Sequence, residues 1–155
     1  MITFYDRIDD DVLAHLPKTT GAYVLVIELA HDLMLQNKRF AGITLRKGTY
    51  LYCGSAKGPG GIAARVKRHC RAEKKPHWHV DDLTANGAGR VSAAWIVPGG
   101  NECALREKGA SIPGVSIPVP GFGSSDCNIC QSHLLRWEGD VASFPVSGFQ
   151  VCASD

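Results

Sequence analysis

Arg65 and His69 stand four residues apart in GGIAARVKRHC, where Ile62, Val66 and Cys70 also recur at four-residue spacing. On a helix such positions share a strip of surface, so a guanidinium and an imidazole point the same way at the border of an apolar stripe. Tyr52 lies upstream in GTYLYCG, ahead of a glycine-studded bend, and Tyr23 lies in GAYVLVIEL. From Arg65 to Lys75 the chain carries Arg65, Lys67, Arg68, Arg71, Lys74 and Lys75 against one acid, Glu73. A charge-rich helix is usually a solvated face, but a strip of this kind also suits a nucleic-acid backbone, because each phosphate neutralised releases counterions. Hydrolysing a phosphodiester requires an oriented water, a group to take its proton, and positive charge against the phosphoryl oxygens. A guanidinium fork matches phosphate geometry better than an ammonium does. Trp78, between His77 and His79, could stack on an exposed base or serve as packing.

A metal ion can stabilise the leaving oxygen, and two-metal sites need several converging carboxylates. The only acidic cluster is N-terminal, at Asp6, Asp9, Asp10 and Asp11, so one ion is the more natural count. Glu102 opens a helix capped by Asn101 and follows Gly99 and Gly100. Two roles are open to it: ligation of Mg²⁺ whose other positions are water and phosphate oxygen, or a favourable first-turn interaction with the helix dipole. The glycines of GSAKGPGG fit neither GxxxxGK[ST] nor GxGxxG, which disfavours nucleotide binding; a tight strand-to-helix turn is their simpler use.

These residues need elements to hold them. Asp9 to Asp11 suit a helix start, and VLAHL continues a short helix that stops before Pro17. AYVLVIEL, 22 to 29, is apolar except for Glu28 and rich in β-branched residues, as a buried strand requires. Further strand patterns lie near Phe40 to Leu45, at TYLYC (49 to 53) and at VSAAWIV (91 to 97). After Gly54 the period switches to that of a helix, and a second helix runs from Glu102 to about Gly109. The proline- and glycine-rich stretch from Ile112 to Asp126 reads as loop.

The chain has 155 residues, 45% hydrophobic and 21% charged, enough for one core. A formal charge of +2 is too small to announce a nucleic-acid binder, so the distribution of charge matters more than its sum. The N-terminus MITFYDRIDDD lacks a secretory pattern and no apolar run is long enough for a membrane span. A cytoplasmic setting is expected, where the six cysteines stay reduced. In CNICQSH, Cys127, Cys130 and His133 have a spacing open to structural Zn²⁺, with Cys103 a fourth ligand from elsewhere; buried thiols are an equal alternative.

GAY at 21 to 23, YCG at 52 to 54, an arginine and a histidine four apart in a basic helix, and a glutamate opening a later helix resemble the GIY-YIG nuclease superfamily. HWHVDDL (77 to 83) and GFGSSDCNICQSHL (121 to 134) are similar to motifs of its small Uri-type (DUF123-like) endonuclease branch. The resemblance spans roughly residues 20 to 137. Ala22 and Cys53 replace the middle residues of the triplets, and residues 24 to 51 separate the tyrosines where the superfamily brings its triplets closer. An extra strand near Phe40 to Leu45 absorbs that length.

The resemblance implies one α+β domain over 1 to 155, with its core at about 20 to 137: a small antiparallel or mixed β-sheet flanked by helices. It implies an endonuclease dependent on Mg²⁺ or Mn²⁺ that acts on DNA, with structure-selective cleavage, repair and a repair-protein partner in view. Tyr23 would be the general base, Tyr52 its hydrogen-bonding companion, Arg65 the phosphate stabiliser and Glu102 the metal ligand. His69 would position the water, share its proton or orient Tyr52. Lys67, Arg68, Arg71, Lys74, Lys75 and Trp78 would bind substrate. A phenol with a pKa of about 10 needs positive neighbours to serve as a base near neutrality. The rival readings are a zinc-stabilised nucleic-acid-binding module without catalysis, and a thiol enzyme built on Cys53 or Cys127. His77 and His79 alternate onto one side of an extended segment, which could place them near the phosphate or a metal; no role is assigned to Asp126.

Overall fold

The computed structural model describes residues 2–75, 78–122 and 132–149. A six-stranded sheet of β1 (Thr3–Tyr5), β2 (Gly21–Leu29), β5 (Gly48–Ala56), β6 (Arg90–Pro98), β7 (Val115–Ser116) and β8 (Leu134–Trp137) has the order β1-β6-β2-β5-β8-β7, and each adjacent pair is antiparallel. Four helices accompany it among the described residues: α1 (Asp10–Ala14), α2 (Gly61–Cys70), α3 (Asp81–Thr84) and α4 (Glu102–Ala110). This is the expected α+β architecture.

β2 is apolar along its whole length because both faces of the sheet are covered. Its odd-numbered residues Tyr23, Leu25, Ile27 and Leu29 pack with Ile62, Ala63 and Val66 of α2, and with Tyr50, Tyr52, Ala94 and Ile96. Its even-numbered residues Ala22, Val24 and Val26 pack with Leu51, Cys53, Trp95 and Leu105 of α4, and with Phe144 and Phe149. Period-two alternation of side chains thus feeds two cores from one strand. Each fully buried Leu, Ile or Val contributes roughly 1.5–3 kcal/mol to them.

The insertion between the tyrosines does not join this sheet. Residues Leu33–Met34 (β3) and Thr44–Leu45 (β4) pair with each other as a separate antiparallel ribbon, with a single 3-10 turn at Lys38–Phe40 between them. The expected strand near Phe40 to Leu45 is therefore only two residues long. Phe40 and Leu45 spend their apolar side chains on the core instead, at 4% and 2% exposure.

Asp9 caps α1 by accepting from the Val12 N–H at 2.9 Å, and Asn101 caps α4 by accepting from Ala104 N–H at 3.0 Å. β7 lies within the stretch expected as loop, and β8 in one given no element; both are too short to show a period. No helix among the described residues is long and apolar enough to cross a membrane.

Candidate active site

The register of β2 on β5 pairs Tyr23 with Gly54 and Leu25 with Tyr52, so both phenols leave the same face of the sheet, toward α2. Gly54 is needed there. A Cβ on it would lie 2.5 Å from Tyr23 Cζ and 2.6 Å from the hydroxyl, so the ring occupies the space a side chain would fill. Gly21 serves the other triplet similarly, since a Cβ would come within 2.5 Å of the Val97 carbonyl oxygen. The glycine of each triplet is thus a packing requirement.

The apolar stripe of α2 brings His69 onto these rings. Tyr23 Oη and His69 Nε2 are 2.8 Å apart. The His69 ring is tilted against Tyr23 at 5.6 Å and set edge-on to Tyr52 at 5.8 Å between centroids. His69 is 1% exposed, and its Nδ1 has no hydrogen-bond partner among the described residues. Burial, then the charges of Lys74 and others, drives its pKa down to about 3, so the imidazole is neutral in the free protein. A neutral ring can accept the Tyr23 hydroxyl proton at Nε2.

Burial likewise raises the Tyr23 phenol well above its ordinary value, and Tyr52 adds to the rise. Arg65 opposes it through its charge and a side-chain hydrogen bond, in the direction expected of a phenolate stabiliser. Desolvation outweighs it, so Tyr23 rests as a phenol. Tyr52 is also raised, first by burial and next by the carboxylate of Glu102. Glu102 acts on Tyr23 in the same sense. Its position at the start of α4, just beyond the end of β6, therefore brings its charge to bear on both phenols.

Arg65, half-buried, donates from Nη1 to the Ser55 carbonyl at 2.9 Å, and its Cζ lies 4.4 Å from the Trp78 ring centroid. The rest of the basic strip divides into two groups. Lys67, Arg71 and Lys75 are exposed. Arg68 donates both terminal nitrogens to Asp81 at 2.9 Å, and its Cζ is also 4.4 Å from Trp78. Lys74 donates to the His69 and Arg68 carbonyls at 2.7 and 3.2 Å, where it closes the C-terminal end of α2, and burial lowers its ammonium to about 8. Arg68 and Lys74 are engaged inside the protein. Trp78 is engaged by two guanidiniums.

The start of α2 holds no phosphate loop. Its Ile62, Ala63 and Ala64 N–H groups donate to the carbonyls of Thr19, Pro17 and Gly60, at 2.9, 2.9 and 3.3 Å. His79 packs edge-on to Phe40 at 4.9 Å and against Phe122 at 5.5 Å. His77, Asp126, Cys127 and Cys130 lie outside the described residues. Cys103 Sγ is 4.0 Å from His133 Nε2. Cys53 is fully buried, and burial raises its thiol well above the usual value, which is unfavourable for a thiolate nucleophile.

Sequence reasoning missed Asp81, whose side chain is 0% exposed and whose carboxylate also accepts from Trp78 N–H at 3.0 Å. The DD pair in HWHVDDL reads as solvated acid at the start of a helix, and nothing local marks one of the two as buried.

A family model described as a domain of unknown function, DUF123, matches residues 22–149. The chain belongs to that family. DUF123 is the Uri-type, GIY-YIG-like family, which suggests a nuclease and DNA as its substrate class. The match covers Tyr23, the triplet at 52 to 54, α2, the Trp78 turn and Glu102. No curated protein and no solved structure matches the chain.

Proposed function

We propose that this chain is a divalent-metal-dependent endonuclease that hydrolyses DNA phosphodiesters. The observation that carries the reading is the Tyr23 to His69 hydrogen bond of 2.8 Å between buried side chains, beside phenols that also feel Arg65 and Glu102. In this reading Tyr23 accepts a proton from water as it yields its own to His69 Nε2, so no free phenolate need persist. The negative charge of an arriving phosphate favours the imidazolium that results. Arg65 holds the phosphoryl oxygens with guanidinium donors not used by Ser55, and Tyr52 walls the pocket beside Tyr23.

The donor set suits a hard cation that keeps most of its waters: one carboxylate, Glu102, with no group of three or more His, Cys, Asp or Glu able to hold a metal among the described residues. Glu102 would hold Mg²⁺ or Mn²⁺. When bound, the ion supplies Lewis-acid stabilisation of the leaving oxygen. Lys67, Arg71 and Lys75 form the exposed track for the flanking backbone. A cytoplasmic role in DNA repair, alone or with a repair-protein partner, follows from the same reading.

The test is a panel of single-stranded, duplex, flap, junction and abasic DNAs incubated with Mg²⁺ or Mn²⁺. Glu102→Ala and Arg65→Ala should each lower turnover by about a hundredfold or more, the usual effect of deleting one electrostatic stabiliser, with melting unchanged. Equal cleavage by Glu102→Ala would remove Glu102 from the site.

The zinc-stabilised binding module remains as a second reading because Cys103 and His133 approach each other. It requires stoichiometric zinc, a lower melting temperature after chelation, and salt-sensitive DNA binding without cleavage under either metal.

A further inference from the structure

A phosphate-binding guanidinium must be held in one place, and among the described residues Arg65 donates to the Ser55 carbonyl and also reaches the Tyr23 phenol. Five donors on a long side chain need more restraint than that. The restraint comes from the turn that starts at Trp78. The ring lies against Arg65, and the same ring lies at the same distance from Arg68. Two like charges sharing one aromatic ring repel unless one of them is neutralised. Asp81 neutralises Arg68 with a bidentate pair, and the same carboxylate fixes the Trp78 backbone. One buried carboxylate therefore sets both the ring and its second guanidinium.

The turn is anchored in its own right. Asp82 Oδ2 accepts the N–H groups of Gln36 and Asn37 at 3.0 and 2.9 Å, and Phe40 packs edge-on to His79. All three residues belong to the segment between the tyrosine triplets. The extra length of that segment thus braces the turn that braces Arg65.

We infer that Trp78 and Asp81 are positioning residues for Arg65, held in place by the insertion between the two tyrosine motifs. Trp78 sets the plane of the Arg65 guanidinium; Asp81 keeps Arg68 from repelling it. Neither residue contacts the phosphate. The inference rests on Arg65 being the phosphate-binding group, as proposed above, and it assigns Trp78 to the protein's own arginines rather than to a DNA base.

The experiment measures kcat and KM for DNA cleavage in Trp78→Phe, Trp78→Leu, Asp81→Asn, Arg65→Ala and the Arg65→Ala/Trp78→Leu double variant. Trp78→Leu should lower kcat about tenfold with KM within about threefold, and Trp78→Phe should recover much of it, as expected for a cation held on an aromatic ring. Placed on Arg65→Ala, Trp78→Leu should cost nothing further, because residues acting through one group are not additive. Additive losses, or equal losses in Trp78→Phe and Trp78→Leu, overturn the inference. Should Asp81→Asn fail to fold, the Trp78 series decides alone.

A second arm measures binding of a labelled DNA oligonucleotide by fluorescence anisotropy. If the wild-type chain binds but does not cleave with Mg²⁺ or Mn²⁺, the nuclease reading fails. The positioning inference then stands only if Trp78→Leu weakens binding with Arg65 present and not with Arg65→Ala. If the chain neither binds nor cleaves, both readings fall.

Discussion

Tyr23 and His69 show how a single hydrogen bond can change what two residues are able to do. Alone in that pocket, the phenol is too strongly desolvated to ionise and the imidazole too strongly desolvated to protonate. Joined at 2.8 Å, they can pass a proton while total charge stays low. The folded His69 pKa of about 3 lies below the unfolded value of 6.5, so between those values the unfolded chain binds the extra proton. Stability contributed at this site is present above pH 6.5 and declines as the pH falls toward 3. Urea unfolding of the wild type against His69→Gln across pH 3 to 7 should show the steeper slope in the wild type; parallel curves would contradict it. Gly54→Ala addresses the same pocket through packing. Its methyl must displace the Tyr23 ring, so a stability loss of about 1–3 kcal/mol is expected together with a drop in cleavage measured well below the melting temperature. Undiminished cleavage in that variant would show that the ring's seat on Gly54 does not matter.

At the scale of elements, α2 carries the arrangement. Ile62 and Val66, both 0% exposed, fix the rotation of the helix on the sheet, and that rotation aims His69 at the phenols and Arg65 at the border. Ile62→Ala should destabilise the chain by about 2–5 kcal/mol, read from denaturant midpoints, with the unfolding slope unchanged. A cost near zero would mean that the helix is held by something other than this stripe. Much of this was legible from spacing, because recurrence at four residues identifies a helix face without any knowledge of its partner. The helix starts at Asp9 and Asn101 were legible for a related reason: capping is local chemistry between residues three apart. β8 was not. Leu134 to Trp137 is four residues long and becomes a strand only because β5 offers an unpaired edge beside Tyr52. The expected strand near Phe40 to Leu45 shrank for the opposite reason, since Phe40 found burial against His79 and Phe122 rather than a ladder.

On the whole molecule, a sheet covered on both faces frees its α2 side to hold buried polar groups while the α4 side supplies a mainly apolar second core. Within the strip from Arg65 to Lys75 the exposed cations are fewer than a count of Lys and Arg suggests. Arg68 and Lys74 are spent on Asp81 and on helix carbonyls, which leaves Lys67, Arg71 and Lys75 to meet a polyanion. DNA affinity should fall with added salt, and Arg71→Ala should reduce the slope of log K against log salt by about one, as for loss of one phosphate contact. A slope equal to that of the wild type would take Arg71 off the track. By itself the sequence determined what depends on near neighbours: the helix–strand order at the first tyrosine triplet and the strand–turn–helix order at the second, the shared face of Arg65 and His69, the cap beside Glu102, and a family resemblance carried by those local motifs. Only the tertiary structure decided which carboxylate is buried on Arg68, that Tyr23 bonds to His69, and that Trp78 is held by arginines. Those outcomes depend on burial and on contacts between residues tens of positions apart, and neither desolvation nor the competition among partners for one charge is encoded in any short stretch of chain.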